Sequence, residues 1–384
     1  MPGVVEVVRV NDFTVAVVAE RTWQAMQAAK ALDISYDPPP RELTDSATLF
    51  GRMRAKLDDP MTEPSVFREA DDLDAGFESA ATIVEAEYTV PYLAHLCMEP
   101  MSCAALVTES SVEIWAPTQA ASLAHDIGAE RTGVPPENVR VHTTLLGGGF
   151  GRRADQDYVV QAVEIAKAVP GRPVRLVWTR EEDVQHDTYR PAALNRNRGA
   201  VAADGSIVAW DSLHTGQSVV HSFSQRSGGS RGNDPTQDRE SLTGITDMPY
   251  GLSNLQAAYV PWISDVPCGY WRSVSNSYAG FFVESFMDEM AHAAGLDPVD
   301  FRRRHLAHSP VHLAVVDEAA RLGNWGAPMG PGRGRGFALS ERHGSIAAQV
   351  IEVTVQDGDQ IKVDRVVRVH GCRQVTHPDT VMAQ

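Results

Sequence analysis

The sequence predicts an α+β fold, with mixed sheets and packed helices. Three observations predict it. Short apolar runs with two-residue alternation recur along the 384 residues, as at 83–90 and 104–107. Asp204-Gly205 and Asp357-Gly358 each separate two such runs, the pattern of a tight hairpin turn. Helical stretches at 118–132, 155–169 and 276–294 lie between the strands, the last carrying Phe281, Phe282, Phe286 and Met290 and ended by Gly295.

The elements follow in order. Residues 13–19 read as a buried strand, and 20–32 as a helix with Trp23, Met26, Ala29 and Leu32 along one stripe. Residues 34–36 are a short strand that Pro38-Pro39-Pro40 stops. From 41 to 74 the chain is polar and weakly patterned and reads as a linker. Residues 83–90 are a strand, 104–107 and 112–115 a hairpin over Glu109-Ser110-Ser111, and 118–132 a helix closed by Gly133 and Pro135-Pro136. A strand at 138–146 runs into three glycines, and the helix at 155–169 follows them. Residues 173–178 are a strand, and 198–202 pairs with 206–212.

Residues 215–250 are rich in Ser, Gly, Arg and Asp and show no period. They read as a disordered stretch or a functional loop over a site. A strand at 255–260 and the helix at 276–294 come next. Asp297-Pro298 opens a further helix, with Asp as cap and Pro at the first position. After a Gly/Pro-rich stretch at 330–336, residues 349–356 pair with 361–369. No internal repeat is visible. Strands lie close to both ends, so both ends read as cut through a fold.

The bulk numbers exclude several classes. Net charge is −16, which repels a nucleic-acid backbone and an anionic membrane surface. No apolar run approaches the ~20 residues that cross a bilayer. No basic segment followed by an apolar one opens the chain, so no signal peptide is visible. Cys97, Cys103, Cys268 and Cys372 form no Cys-x-x-Cys pair, so the ligand pattern of an iron–sulfur cluster or a structural zinc is missing. His186, His214 and His221 lack metal-ligand spacing.

The most informative stretch is Leu145-Leu-Gly-Gly-Gly-Phe-Gly-Arg-Arg153. Three consecutive glycines reach backbone torsions closed to other residues and admit close approach to the main chain. A strand, a glycine loop and a helix N-terminus together offer free N–H groups to an anion, and Arg152 and Arg153 add positive charge. The loop is neither a P-loop nor a Gly-x-Gly-x-x-Gly fingerprint, and by itself it equally suits a plain tight turn.

Four separated segments carry a resemblance. They are Pro91-Tyr-Leu-Ala-His95-Leu-Cys-Met-Glu99-Pro100; Trp115-Ala-Pro-Thr-Gln119 running on to the glycine loop; Val177-Trp-Thr-Arg-Glu-Glu-Asp183 with His186-Asp187-x-Tyr189-Arg-Pro191; and Gly269-Tyr-Trp-Arg-Ser-Val274 with Glu284, Asp288, Glu289 and Gly295-x-Asp297-Pro298. Together they resemble the large, molybdopterin-binding subunit of the xanthine oxidase family of molybdenum hydroxylases. The Arg-Arg after the loop and the Trp-Arg-Ser-Val segment are most similar to the branch typified by the β-subunit of isoquinoline 1-oxidoreductase, which also includes bacterial aldehyde-oxidising members.

The resemblance implies a cofactor, Mo-molybdopterin in its cytosine dinucleotide form, bound by Gly148, Gly149, Phe150, Gly151 and Arg152, by Trp271, Arg272 and Ser273, and by His95 and Glu99. It implies that the pterin dithiolene, and no protein side chain, holds the metal. Each nominee has a plainer reading: Arg272 as an ion-pair partner of Glu284 or Asp288, Trp271 as core, His95 as a structural histidine, Glu99 as a local cap or pair. The resemblance further implies domains: 1–40 as the end of an N-terminal hammerhead-like α/β domain, 41–78 as a linker, 79–330 as the first molybdopterin-binding domain, and 331–384 as the incomplete start of the second.

The family's catalytic base is a glutamate in a Gly-Glu motif near the C-terminus of the full subunit, and no segment here matches it. His370-Gly371-Cys372 also departs from the family's usual Asp-Cys-Gly. Three readings stay open: a segment of an oxidoreductase acting on an N-heteroaromatic or aldehyde, inactive alone, with electrons leaving through a small [2Fe-2S] subunit and the missing C-terminal half on a second chain; a non-catalytic remnant; and a binding module for another phosphate-bearing ligand. The residues do not specify substrate or localisation.

Overall fold

The computed structural model describes all residues except 38–44, 229–233, 357, 359, 373 and 384. The chain opens with strands β1 (Val4–Asn11) and β2 (Thr14–Ala19), an antiparallel pair, and helix α1 (Thr22–Lys30). One helix over two strands cannot bury them, so Phe13 and Val15 are exposed instead of forming a buried strand. Trp23 of the expected stripe is exposed as well, and Ala28 is the buried residue of α1. Residues 34–36 form no strand.

Helix α2 (Ser46–Asp58), strand β3 (Ser65–Arg68) and helix α3 (Leu73–Glu78) follow, where a linker was expected. Only Leu49 and Met53 of α2 are buried, too few for a visible period, yet they pack on Ala192 and Leu194. The Arg68 guanidinium donates to the carbonyls of Thr246 and Leu252, both at 2.8 Å.

The site-bearing part comprises β4 (Thr82–Val90), β5 (Ser102–Val107), β6 (Val112–Ala116), α4 (Ala121–Thr132), β7 (Val139–Thr143), α5 (Asp157–Ala168), β8 (Val174–Val177), α6 (Arg180–Gln185), β9 (Ala193–Val201), β10 (Ile207–Gly216), α7 (Val219–Ser227) and β11 (Leu255–Pro261). It ends with α8 (Asn276–Ala293), α9 (Pro298–His305), α10 (Pro310–Leu322), β12 (Arg333–Arg342), β13 (Ser345–Gln356) and β14 (Gln360–Gly371). The strands form a five-stranded sheet, β3-β11-β10-β9-β4, a four-stranded sheet, β7-β6-β5-β8, and a three-stranded sheet, β12-β13-β14. The first two are mixed: β10 and β11 run parallel, as do β6 and β7.

Two cores hold these layers. One joins the four-stranded sheet to α4 and α5 through Ile114, Val112, Tyr158 and Val163. The other joins the five-stranded sheet, α8, α10 and the three-stranded sheet. Helix α8 reaches the sheet at Gly199, where a Cβ would stand 2.6 Å from Met290 Sδ and 2.8 Å from Phe286. Trp210 meets Phe286 edge-on at 4.9 Å. Phe337, Leu339, Ile346 and Val350 of the last sheet share this core, so no break in packing falls at residue 330.

Buried charge crosses the second core in a satisfied network. Glu284 accepts from Arg302 Nε at 2.9 Å, from the Leu339 N–H at 2.7 Å and from the Tyr250 hydroxyl at 2.6 Å. Arg302 also donates to Asp288, at 2.5 Å. Every member has partners, which is the condition under which buried ions are tolerated.

The patternless stretch 215–250 is largely ordered. Besides α7, it makes 3₁₀ turns at 235–237 and 239–242 capped by Asp234 and Asp238, and it sends Leu242, Ile245, Met248 and Tyr250 into the main core. Short turns carry no 3.6-residue period, so the sequence hid them. Residues 229–233 of that stretch lie outside the described residues, and the turn expected at Asp357-Gly358 does so in part.

Candidate functional site

The glycine loop leaves β7 three residues earlier than expected and does not sit on a helix N-terminus. Helix α5 begins at Asp157, after a 3₁₀ turn at 152–154. The loop instead owes its shape to local torsions and two anchors. Gly148 and Gly151 both have φ +103°, and Phe150 between them has φ +56°. Glu99 accepts from the Gly147 N–H at 3.0 Å, and Gln119 accepts from the Gly151 N–H at 3.0 Å. Among the described residues, the N–H groups of Gly148, Gly149 and Phe150 have no acceptor. Three adjacent free donors on one exposed turn form a ready anion or oxo-group cradle.

Side chains would fill this cradle. A Cβ on Gly149 would lie 2.6 Å from Gln119 Oε1, and one on Gly151 only 1.7 Å from the Tyr270 carbonyl oxygen. The second contact is backbone on backbone, so Gly151 is where a second wall, residues 270–274, packs against the loop. That wall is strained too: Ser273 has φ +72° and Val274 φ +51°. Left-handed torsions at residues other than glycine cost roughly 1–3 kcal/mol each, and clustering of such torsions points to a functional site. The Arg272 guanidinium lies 5.5 Å from the Phe150 ring centroid and bridges the two walls.

The nominated residues divide into two groups. Gly148, Gly149, Phe150 and Gly151 come together with Trp271, Arg272 and Ser273. Arg272 is exposed and has no ion-pair partner among the described residues, because Arg302 takes both Glu284 and Asp288. The plainer reading of Arg272 is thereby overturned.

Arg152 does not face the loop's open side. It is 1% exposed, donates to both Asp157 oxygens at 2.9 and 2.7 Å, and holds Nε 2.9 Å from Asp187 Oδ1 with its N–H off the line of contact. Burial alone would lower its pKa; the Asp157 and Asp187 carboxylates more than offset that and keep it charged. Arg153 is equally buried and donates to the Gly148 and Glu99 carbonyls, at 2.7 and 2.9 Å, and to the Glu99 carboxylate at 2.9 Å. Both arginines brace the loop from behind and add no charge to its face. Glu99 is the other half of that brace, and His95 sits buried behind Trp271, with ring centroids 4.8 Å apart.

Three participants carried no assigned role in the sequence reading: Gln119, Asp187 and Tyr270. All three stand inside the four motifs, yet the contacts of Gln119 and Asp187 span 32 and 92 residues and no local pattern shows them. Cys97 lies beneath the loop, its Sγ 3.5 Å from the Gly149 carbonyl, with burial pushing its thiol pKa up.

A cavity of about 280 Å³ is lined by Gln217, Ser218, His221, Ser222, Arg226 and Trp262 among others. Of these, Arg226 pairs with Asp155 at 2.8 Å and donates to the Cys268 carbonyl at 2.7 Å. Phe223 meets Tyr270 edge-on at 5.2 Å.

Residues 147–151 and 270–274 thus form two facing walls of glycine backbone and strained loop, and among the described residues no group of three His, Cys, Asp or Glu is placed to hold a metal ion. The Molybdopterin cofactor-binding domain family matches residues 59–306, and the chain belongs to that family, within the xanthine oxidase class of molybdenum hydroxylases. It is 29% identical over its whole length to a nicotinate dehydrogenase subunit of Pseudomonas putida, of which it covers 33%. Over 75% of its length it is 31% identical to the β-subunit of isoquinoline 1-oxidoreductase from Brevundimonas diminuta, covering 37% of that protein. The aldehyde oxidoreductase of Desulfovibrio gigas shares the fold, with TM-score 0.65 over 90% of this chain and 40% of that one at 19% identity. The chain thus spans about a third of the length of the curated relatives it matches.

Proposed function

We propose that this chain forms one side of the cofactor site of a molybdenum hydroxylase, with the pterin lying across residues 147–151 and 270–273. The carrying observation is the row of three N–H groups at 148–150, unpaired among the described residues, beneath a wall that leaves no room for a Cβ at Gly151. The backbone donors would hold oxygen atoms of the cofactor or its diphosphate, and Arg272, exposed and without an ion-pair partner among the described residues, would supply a charge to meet them. When bound, the molybdenum–pterin group supplies the redox centre that takes two electrons from the substrate as water-derived oxygen is added. The protein's own share is positioning.

The relatives' names support an N-heteroaromatic or aldehyde substrate. The cavity at 217–226 and 262–267 is where we place its approach, because helix α7, which lines it, also carries Phe223 against Tyr270 of the second wall. Electrons would pass to a separate [2Fe-2S] subunit, the cofactor would carry the cytosine dinucleotide, and the base would come from outside these 384 residues. Leu145, Met98 and Leu96 stand exposed around the loop, a rim suited to cover by such a chain.

Two outcomes test this reading. The purified chain alone should not oxidise an aldehyde or N-heterocycle with an artificial electron acceptor, since loss of a general base costs ~10²–10⁴ in rate; steady turnover would refute it. Arg272→Ala should leave the thermal melt within about 0.5 kcal/mol of wild type, because the side chain is exposed. It should nevertheless lower the pterin that co-purifies from a host making the cofactor. Equal pterin in both would remove Arg272 from the site.

A further inference from the structure

We propose that His95 is held in the folded chain as a doubly protonated imidazolium, a positioning residue that locks the second wall onto the glycine loop. The inference deepens the cofactor reading above, but the contacts that carry it stand without any cofactor.

Both ring nitrogens of His95 face atoms that can only accept. Nδ1 lies 3.0 and 3.1 Å from the two carboxylate oxygens of Asp187. Nε2 lies 2.9 Å from the carbonyl oxygen of Tyr270. A neutral imidazole has one N–H and one lone pair. If the proton sat on Nδ1, the Nε2 lone pair would point at the Tyr270 carbonyl. If it sat on Nε2, the Nδ1 lone pair would point at a carboxylate. Turning the ring over would set carbon atoms against both acceptors. Only the imidazolium satisfies both contacts, and at 7% exposure no solvent competes for them.

Asp187 is placed to receive it. Besides the imidazole, this carboxylate accepts from the His95 backbone N–H and pairs with Arg152. Arg152 is in turn balanced by Asp157. The charged and titratable groups around His95 are thus Asp187 and, through it, Arg152 and Asp157, with Asp183 and Asp155 farther along the same network and the neutral Cys97 thiol two residues on. The Trp271 ring packs against the imidazole's face, an arrangement that favours a cation.

What the clamp holds decides its role. The Tyr270 carbonyl that His95 grips is the atom packed onto the Cα of Gly151. One proton on Nε2 therefore fixes the contact between the two walls, and Asp187 ties the same histidine to Arg152 at the end of the loop. A structural histidine in one neutral tautomer could make only one of these ties.

The test uses the full chain labelled with ¹⁵N-histidine. Long-range ¹H–¹⁵N spectra at neutral pH should show one histidine with both ring nitrogens protonated, absent from His95→Gln. A His95 signal with one bare nitrogen overturns the proposal. A second readout is hydrogen exchange. His95→Phe keeps a ring against Trp271 but donates nothing, and should speed amide exchange in 269–274 about tenfold while α5 is unchanged. His95→Gln, which keeps one donor, should fall between. Unchanged exchange in 269–274 would overturn the positioning role. If His95→Phe does not fold, the wild-type spectrum decides alone. None of these readouts involves pterin, so failure of the clamp and failure of the cofactor reading are told apart.

Discussion

Gly151→Ala is expected to cost the chain its pterin while leaving it folded. The new Cβ would lie 1.7 Å from the Tyr270 carbonyl oxygen, and no rotamer relieves a clash between a Cβ and backbone. The φ of +103° adds strain for any L side chain. The second wall must then move by an ångström or more, and displacement of this size in a positioned site costs roughly two orders of magnitude in function. Stability should fall by about 1–3 kcal/mol, short of unfolding. Gly171→Ala is the control. Its φ is +75°, but nothing lies within 4 Å of the new atom, so it should lose about 1–2 kcal/mol and keep its pterin. Pterin fluorescence after oxidation, read beside a thermal melt of each variant, checks both. Equal pterin in Gly151→Ala and wild type would mean that the wall contact does not shape the site.

A steep acid instability should trace to His214. This residue of β10 is fully buried, lies between the rings of Tyr259 and Tyr278 at 5.9 and 5.4 Å, and has no partner on either nitrogen among the described residues. Burial lowers its pKa from 6.5 to about 3. The sign follows from proton counts. Between those values the unfolded chain binds a proton that the folded chain refuses, so stability is complete above pH 6.5 and falls as pH drops toward 3. The slope is roughly 1.4 kcal/mol per pH unit from this residue alone. His214→Phe keeps the stack and loses no hydrogen bond, so it should match or exceed wild-type stability at pH 7. Its advantage should widen steadily below pH 6.5. Urea unfolding of both chains from pH 7 to 4 measures that difference, and carboxylates common to both cancel in it. Parallel curves would show that His214 finds a proton partner in the folded chain.

The local elements were legible where one residue pattern decides them. The β9–β10 hairpin across Asp204-Gly205 and the helix opened by Asp297-Pro298 stand where the sequence puts them, because cap and turn chemistry act within four residues. Helix α8 was equally plain from its phenylalanines, although Phe281 faces out. Helix α2 and strand β3 were missed because each owes its place to distant partners: α2 to Ala192 and Leu194, Arg68 to carbonyls near 250; the turns of 234–242 were missed because they are too short to show a period. Helix α10 and strand β12 went unread for the same reason, being buried against elements far along the chain. In the site, the glycines and Trp271-Arg272 were visible as motif. The roles of Arg152, Arg153 and Glu99 were not, since a sequence shows that an arginine is charged but not whether it faces a ligand or a buried carboxylate.

The most direct measurement is the pterin and molybdenum content of the wild-type 384-residue chain, purified from a host that makes the cofactor and shown to melt cooperatively. The account predicts that both co-purify with it. A chain that melts as a folded protein yet carries neither would contradict the reading of residues 147–151 and 270–273 as a cofactor cradle.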